Sequence, residues 1–158
     1  MIIAMDWVGA CIGDCPVGAI TLEERETTEP NTDFPRLRHF PIQLHLINPN
    51  ADFLKNTDLV LAADCTAFAY SNFHHRFLTN NSIAIACPKL DNAADFYVEK
   101  LTAMIDNSLI HTLSVIIMEV PCCRGLFQIA QQAQARAKRK IPIKKIVIGT
   151  KGNLQSEE

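Results

Sequence analysis

At 158 residues the chain has room for one α/β domain with a real core and a short appendage, and 48% hydrophobic content suits that class. Fifteen basic against 17 acidic residues leave a net charge of −2, so no global field favours nucleic acid, and no uninterrupted apolar run approaches the roughly 18 residues of a membrane span. The apolar start, residues 1–5, has no basic flank and is interrupted by Asp6, a poor signal peptide that points to a cytoplasmic chain. In a reducing compartment six cysteines read as metal, cluster or redox ligands rather than as a disulfide framework.

The first segment carries Cys11 and Cys15 in the string CIGDCPVGAI. Three intervening residues let both thiolates turn toward one centre, and Pro16 keeps the chain from closing over it as helix; the string matches the second half of the bacterial ferredoxin run C-x₂-C-x₂-C-x₃-C-P. From residue 23 to 40 charge, threonines and Pro30 and Pro35 read as a solvated linker that includes His39. Ile42-Gln43-Leu44-His45-Leu46 alternates as a strand, Asn48-Pro49-Asn50 turns, and residues 51–55 make a short helix. A buried strand over 58–64 leads into Cys65, a helix follows near 67–78, and a strand over 82–86 leads into Cys87 and Pro88. Asp91 or Asn92 can cap a helix carrying Phe96, Val98, Leu101, Met104 and Ile105. The β-branched run over 113–119 stops at Pro121 and opens onto Cys122 and Cys123, and a helix with Leu126, Ile129, Ala130, Ala133 and Ala137 on one face leads to a closing strand over 143–149.

The expected architecture is α/β: a mostly parallel five-stranded sheet with helices on both faces, a Rossmann-like three-layer arrangement, preceded by a partial ferredoxin-like segment. Its boundaries are 1–26 for that segment, 27–41 for the linker, 42–152 for the α/β domain and 153–158 for a tail. If the strands before Cys65, Cys87 and Cys122 are parallel, all four cysteines converge on the edge where open α/β sheets place their ligands. Asp64 and Glu119 beside them can accept hydrogen bonds, cap the next element or move protons, Lys89 and Arg124 can favour thiolates or bind an anion, and His74 or His75 can join cysteines around zinc. The basic cluster Arg136, Lys138, Arg139 and Lys140 reads as a solvated helix end. No glycine-rich phosphate loop follows any strand, which argues against a dinucleotide site.

The strings DWVGACIGDCPVGAITLEERE, PIQLHL, LAADCTAFAY, ACPKLDNAADFYVEKL and MEVPCCRGL resemble a family of 4Fe-4S ferredoxin-like iron-sulfur binding proteins with a two-cluster N-terminal part and a C-terminal α/β domain. This chain resembles a member lacking the first ferredoxin motif. The resemblance implies an iron-sulfur cluster with Cys11 and Cys15 as ligands, completed by a partner or by a second copy in a homo-oligomer. The expected function is then electron transfer or redox sensing with a redox partner protein, and with neither nucleic acid nor membrane. The alternatives are a thiol- or zinc-dependent protein that uses Cys65, Cys87, Cys122 and Cys123 as its cofactor-binding or metal-ligating residues, and a cofactor-free interaction domain.

Overall fold

The structure is a computed structural model, and it describes residues 35–158. One sheet contains β1 (Asp58–Ala63), β2 (Asn81–Ala86), β3 (Leu113–Met118), β4 (Ile143–Ile148) and β5 (Leu154–Glu157), in the order β2-β1-β3-β4-β5. The first four strands are parallel and β5 returns antiparallel to β4. Apolar strands of this kind need cover on both faces, and the crossovers supply it. Between β1 and β2 lie α1 (Thr66–Ala69) and a π-helical turn (His74–Leu78); α2 (Ala94–Asn107) joins β2 to β3, and α3 (Arg124–Arg136) joins β3 to β4. Right-handed crossovers that reverse their direction of travel after β2 place the β1–β2 connection on one face and α2 and α3, which pack together, on the other.

The register sets the core. Leu61 stands opposite Ala84 on one side and Val115 on the other, and all three are fully buried. Val98, Leu101, Met104 and Ile105 of α2, and Leu126, Ile129, Ala130 and Ala133 of α3, join the same cluster at helical three- and four-residue spacing. Phe96, expected on the inner stripe, is instead 43% exposed.

Four of the five expected strands form, and the first does not. Leu44 and Ile47 are buried three residues apart while Leu46 is exposed, and the Leu46 and Ile47 N–H groups both donate to the Gln43 carbonyl, so this stretch turns instead of extending. A single parallel bridge of Gln43 with Ile85 survives, with Leu44 N–H donating to the Ile85 carbonyl and Ile85 N–H to the Ile42 carbonyl, each at 2.8 Å. The fifth strand comes from residues expected as a tail: Leu154–Glu157 pairs with the outer edge of β4, where its polar side chains need little burial. The helix expected near 67–78 is broken at Tyr70, whose backbone is extended, and Phe73 and Phe77 then pack edge to face with centroids 5.3 Å apart. At the β4–β5 hairpin Gly152 takes φ +79°, and a Cβ there would sit 2.5 Å from the Ala69 carbonyl oxygen.

Residues 39–41, expected within the linker, belong to the domain. His39 Nε2 accepts the Ile83 N–H at 3.0 Å, and its ring stacks on Phe53 at 3.9 Å. With the Gln43 bridge this satisfies the outer edge of β2, where unpaired N–H groups would invite another chain. Burial is the largest influence on His39 and holds its pKa below the ordinary histidine value; a hydrogen bond with the Pro41 carbonyl opposes this and the charge of Arg38 adds to it.

Leu61→Ala should destabilise the domain by about 2–5 kcal/mol, the range for a fully buried leucine, as read from urea unfolding midpoints. The depressed pKa of His39 means that the unfolded chain takes up its proton first, so stability should fall as pH drops below the ordinary histidine value and level off below the folded-state value. A His39→Gln variant should lack that component of the pH dependence.

Candidate functional site

β1 and β3 are neighbours whose crossovers leave in opposite directions, so a crevice opens between their C-terminal ends. Beyond β1 come Asp64, Cys65 and the start of α1, where the buried Thr66 hydroxyl donates to the Ala63 carbonyl at 2.7 Å and holds the turn. Beyond β3, Val120 is extended and Pro121–Cys123 forms one 3-10 turn, with proline at its first position, before α3 begins. This turn places Cys122 in solvent and Cys123 inside, while Cys65 is exposed across the crevice.

Cys123 is the buried one of the three thiols at this edge. Burial is the largest influence on it and pushes its pKa up; a hydrogen bond with the Met118 main chain opposes the rise, and the neighbouring Cys122 and Cys65 add to it. Free N–H groups at the start of α3 favour a thiolate, but for Cys123 desolvation outweighs them.

Cys87 stands at the same edge in a different setting. The Leu90 and Asp91 N–H groups donate to its carbonyl, and Asp91 Oδ2 accepts from the Cys87 N–H at 2.9 Å and from the Tyr97 hydroxyl at 2.8 Å. Asp91, expected as a helix cap, therefore locks the turn after β2, and burial followed by the Asp91 hydrogen bond raises the pKa of Tyr97. Asp64 lies beside this group. Its Oδ1 is buried without a hydrogen-bond partner among the described residues. Burial, then the charge of Asp91, push the Asp64 pKa up, and the Gln43 side chain works in the other direction. Glu119, the other acid/base candidate, accepts the Thr150 N–H at 2.7 Å, the Thr150 hydroxyl at 2.9 Å and the Gln155 amide at 3.2 Å; the Thr150 bonds hold its pKa down. Glu119 thus clasps the β4–β5 hairpin.

Cys122 opens into a depression of about 450 Å³ that is also lined by Pro88, Lys89, Pro121 and Gly125. A Cβ on Gly125 would lie 3.3 Å from the Pro88 Cβ, so the turn after β2 and the start of α3 pack as closely as glycine permits. A cavity of similar size, floored by Ile117, Phe127 and Val147, runs beside α3 and contains no cysteine. It exists because β4 passes to β5 by a hairpin, which leaves that side of β4 without a covering helix.

The metal-binding expectation is not met. Among the described residues no group of three or more His, Cys, Asp and Glu side chains could hold a metal ion. The physical reason is divergence: Cys87 belongs to the Asp91–Tyr97 turn, Cys123 is buried while Cys65 and Cys122 are exposed, and His74 and His75 are exposed on the π-helical turn. Cys11 and Cys15 lie outside the described residues. The sequence does not single out Tyr97 or Gln43, the latter reading only as a strand residue; the one available signal is the four-residue spacing from Cys87 to Asp91 across a proline.

A doubly wound α/β sheet with thiols at its switch point defines the class. Residues 51–158 match the Rossmann-like domain family, and the chain belongs to it. An uncharacterized protein of Archaeoglobus fulgidus is 27% identical over 119 residues, which cover 75% of this chain and 83% of that relative. No solved structure matches. The resemblance to ferredoxin-like 4Fe-4S proteins is overturned by these findings, since the family that matches is a Rossmann-like domain and neither comparison indicates an iron-sulfur family. The partial ferredoxin-like segment, residues 1–26, lies outside the described residues, and the electron-transfer role loses the resemblance that supported it. Among the described residues no helix is long and apolar enough to cross a membrane.

Because the fold raises the pKa of Asp64, its ionised form is less favoured in the folded than in the unfolded chain, and ionisation at neutral pH costs stability. Asp64→Asn should be more stable than the wild-type chain at pH 7, and the difference should vanish as pH falls through the ordinary aspartate range. Urea midpoints at both pH values would show it.

Proposed function

We propose that the crevice between β1 and β3 is a dithiol site that exchanges with small disulfides, with Cys122 as the attacking thiol and Cys65 as the resolving one. A single observation carries this reading: β1 and β3 are neighbouring parallel strands, and just past their C-terminal ends lie two exposed thiols, Cys65 and Cys122, with Cys123 buried beside the latter. Adjacent Cys122 and Cys123 are poor partners for each other. Successive Cα atoms across a trans peptide are about 3.8 Å apart, below the roughly 4.4 Å at which ordinary disulfides begin. The pair proposed to close joins the end of β1 to the end of β3.

The chemistry balances without a metal or a bound cofactor. The Cys122 thiolate attacks one sulfur of a small disulfide, forming a mixed disulfide and releasing one thiolate. Cys65, after losing its proton, attacks the Cys122 sulfur and releases the second thiolate. Two protein thiols are oxidised, one substrate disulfide is reduced to two thiols, and the two protons leave with the products. The raised pKa of Asp64, next to Cys65 in the chain, suits it to accept and return the Cys65 proton.

Treatment with one equivalent of hydroxyethyl disulfide, followed by alkylation and tryptic mapping, tests the proposal. Cleavage at Arg76 and Lys100 separates the Cys65 peptide from the Cys122 peptide. The expected product is a cross-link between them that is lost in Cys65→Ser and in Cys122→Ser and retained in Cys87→Ser. Stable mixed disulfides with no cross-link would overturn the dithiol reading.

A further inference from the structure

The outer edge of β2 is closed by two pieces of chain that are anchored very unequally. After Pro41 the hold is deep: Leu44 and Ile47 are fully buried, the Ile85 N–H donates to the Ile42 carbonyl at 2.8 Å, and the Lys100 ammonium donates to the Leu44 and His45 carbonyls at 3.0 and 2.6 Å. Before Pro41 it rests on one ring. Leu37 and Phe40 are exposed, and Arg36 donates to the exposed Thr79 hydroxyl at 3.0 Å. His39 supplies the bond to the sheet, its Nε2 accepting the Ile83 N–H at 3.0 Å while its Nδ1 lies 3.3 Å from the Pro41 carbonyl. An N–H cannot accept and a carbonyl cannot donate, so these partners fix the tautomer, with the proton on Nδ1 and a bare lone pair on Nε2. The imidazole stands where a neighbouring strand would put a main-chain carbonyl.

A carbonyl keeps its lone pairs as pH falls, whereas an imidazole takes up a proton. Protonation puts an N–H on Nε2, and two donors then face each other at 3.0 Å. Stacking on Phe53 tolerates either charge state, so the lost acceptor is what opens the contact. No neighbouring charge compensates the imidazolium. Arg38 carries the same sign, Asp52 and Lys55 on the turn that carries Phe53 pair with each other at 2.6 Å, Asn81 and Ser82 on β2 are neutral, and among the described residues no carboxylate pairs with the ring. We propose that residues 35–41 form a proton-operated latch, in which protonated His39 releases Ile83 and the segment leaves the β2 edge while residues from Gln43 onward stay in place. The acid form presents the Ile83 N–H on an open sheet edge, and the neutral form covers it. Burial is the main weight against protonating the closed ring; the Pro41 hydrogen bond opposes it and Arg38 adds to it. Because the closed-state pKa is lowered, closure is fully favoured above the ordinary histidine value, weakens about tenfold per pH unit below it, and levels off below the closed-state value.

Residue-resolved amide exchange of the full chain, followed by NMR, tests the latch. Between about pH 7 and about pH 5, with the intrinsic pH dependence of exchange removed, the protection of the Ile83 amide should fall about tenfold per unit below the ordinary histidine value. It should respond little to dilute urea, because the opening exposes little surface. Ile85, two residues along the same edge but bonded to the anchored piece, should keep the steep urea dependence of global unfolding. The ring itself should carry its proton on Nδ1 at neutral pH, as read from its nitrogen shifts. In His39→Gln the side-chain oxygen accepts the Ile83 N–H at every pH, and the pH component at Ile83 should disappear. Ile83 and Ile85 exchanging with one protection and one urea slope overturns the proposal, as does a neutral ring protonated on Nε2. A local opening at Ile83 that ignores pH, or that keeps its pH response in His39→Gln, overturns it as well. The comparison of Ile83 with Ile85 needs no variant, so the test stands even where His39→Gln fails to fold.

Discussion

The parallel pairing of β1 with β3, in which Leu59 faces Leu113 and Leu61 faces Val115, is the constraint on which the cysteine site depends. Two strands distant in sequence lie side by side and end at the same edge, so the first residues past each come together whatever their identity. The crossovers that leave these ends diverge to opposite faces of the sheet, and no backbone fills the gap between them. An antiparallel pairing would send Cys65 and Cys122 to opposite ends of the sheet. The site is therefore as stable as the core that holds the register, and Leu59, Leu61, Leu113 and Val115 are all fully buried.

Within that crevice the local chain decides the roles of three chemically identical side chains. One 3-10 turn separates Cys122 from Cys123, which points one thiol outward and the other into the core. Desolvation then keeps Cys123 a neutral thiol, while its exposed neighbours remain open to reagents. The turn after β2 adds a wall without adding a ligand, because Asp91 is consumed in holding the Cys87 N–H and the Tyr97 hydroxyl. Asp64 is left beside that locked carboxylate with one oxygen unsatisfied, a cost to the fold that a proton removes.

The unmatched features of the sheet also have physical causes. Its β2 edge is closed by a histidine ring and a turn rather than by a further strand, since the burial of Leu44 and Ile47 at a three-residue spacing satisfies the core without an extended backbone. Its other edge is closed by a hairpin, and the missing crossover helix leaves the apolar face of Ile117, Phe127 and Val147 as a cavity. Arg76 and Lys145 bind Glu157 and Glu158 at 2.7 and 2.9 Å and hold β5 in place, although pairs this exposed contribute little each.

The sequence by itself determined the parallel core, because strands buried on both faces must be continuously apolar, and the runs ending before Cys65, Cys87 and Cys122 are. It also determined the inner faces of α2 and α3, whose three- and four-residue spacing has one geometric meaning, and the placing of four cysteines just beyond strand ends. Polar Leu154–Glu157 could not be told from a tail, since an edge strand at the surface needs no hydrophobic pattern, and Gln43 alternated like a strand because alternation does not record where hydrogen bonds go. The string around Cys11 and Cys15 suggested a cluster family that the comparisons do not support, because a short cysteine spacing fixes local chemistry and not ancestry. Which cysteines meet was left to the tertiary structure. Strand order brings the ends of β1 and β3, and so Cys65 and the Cys122–Cys123 pair, to one edge, while the Cys87 N–H donates to the Asp91 carboxylate four residues on, arrangements that exist only once the chain has folded.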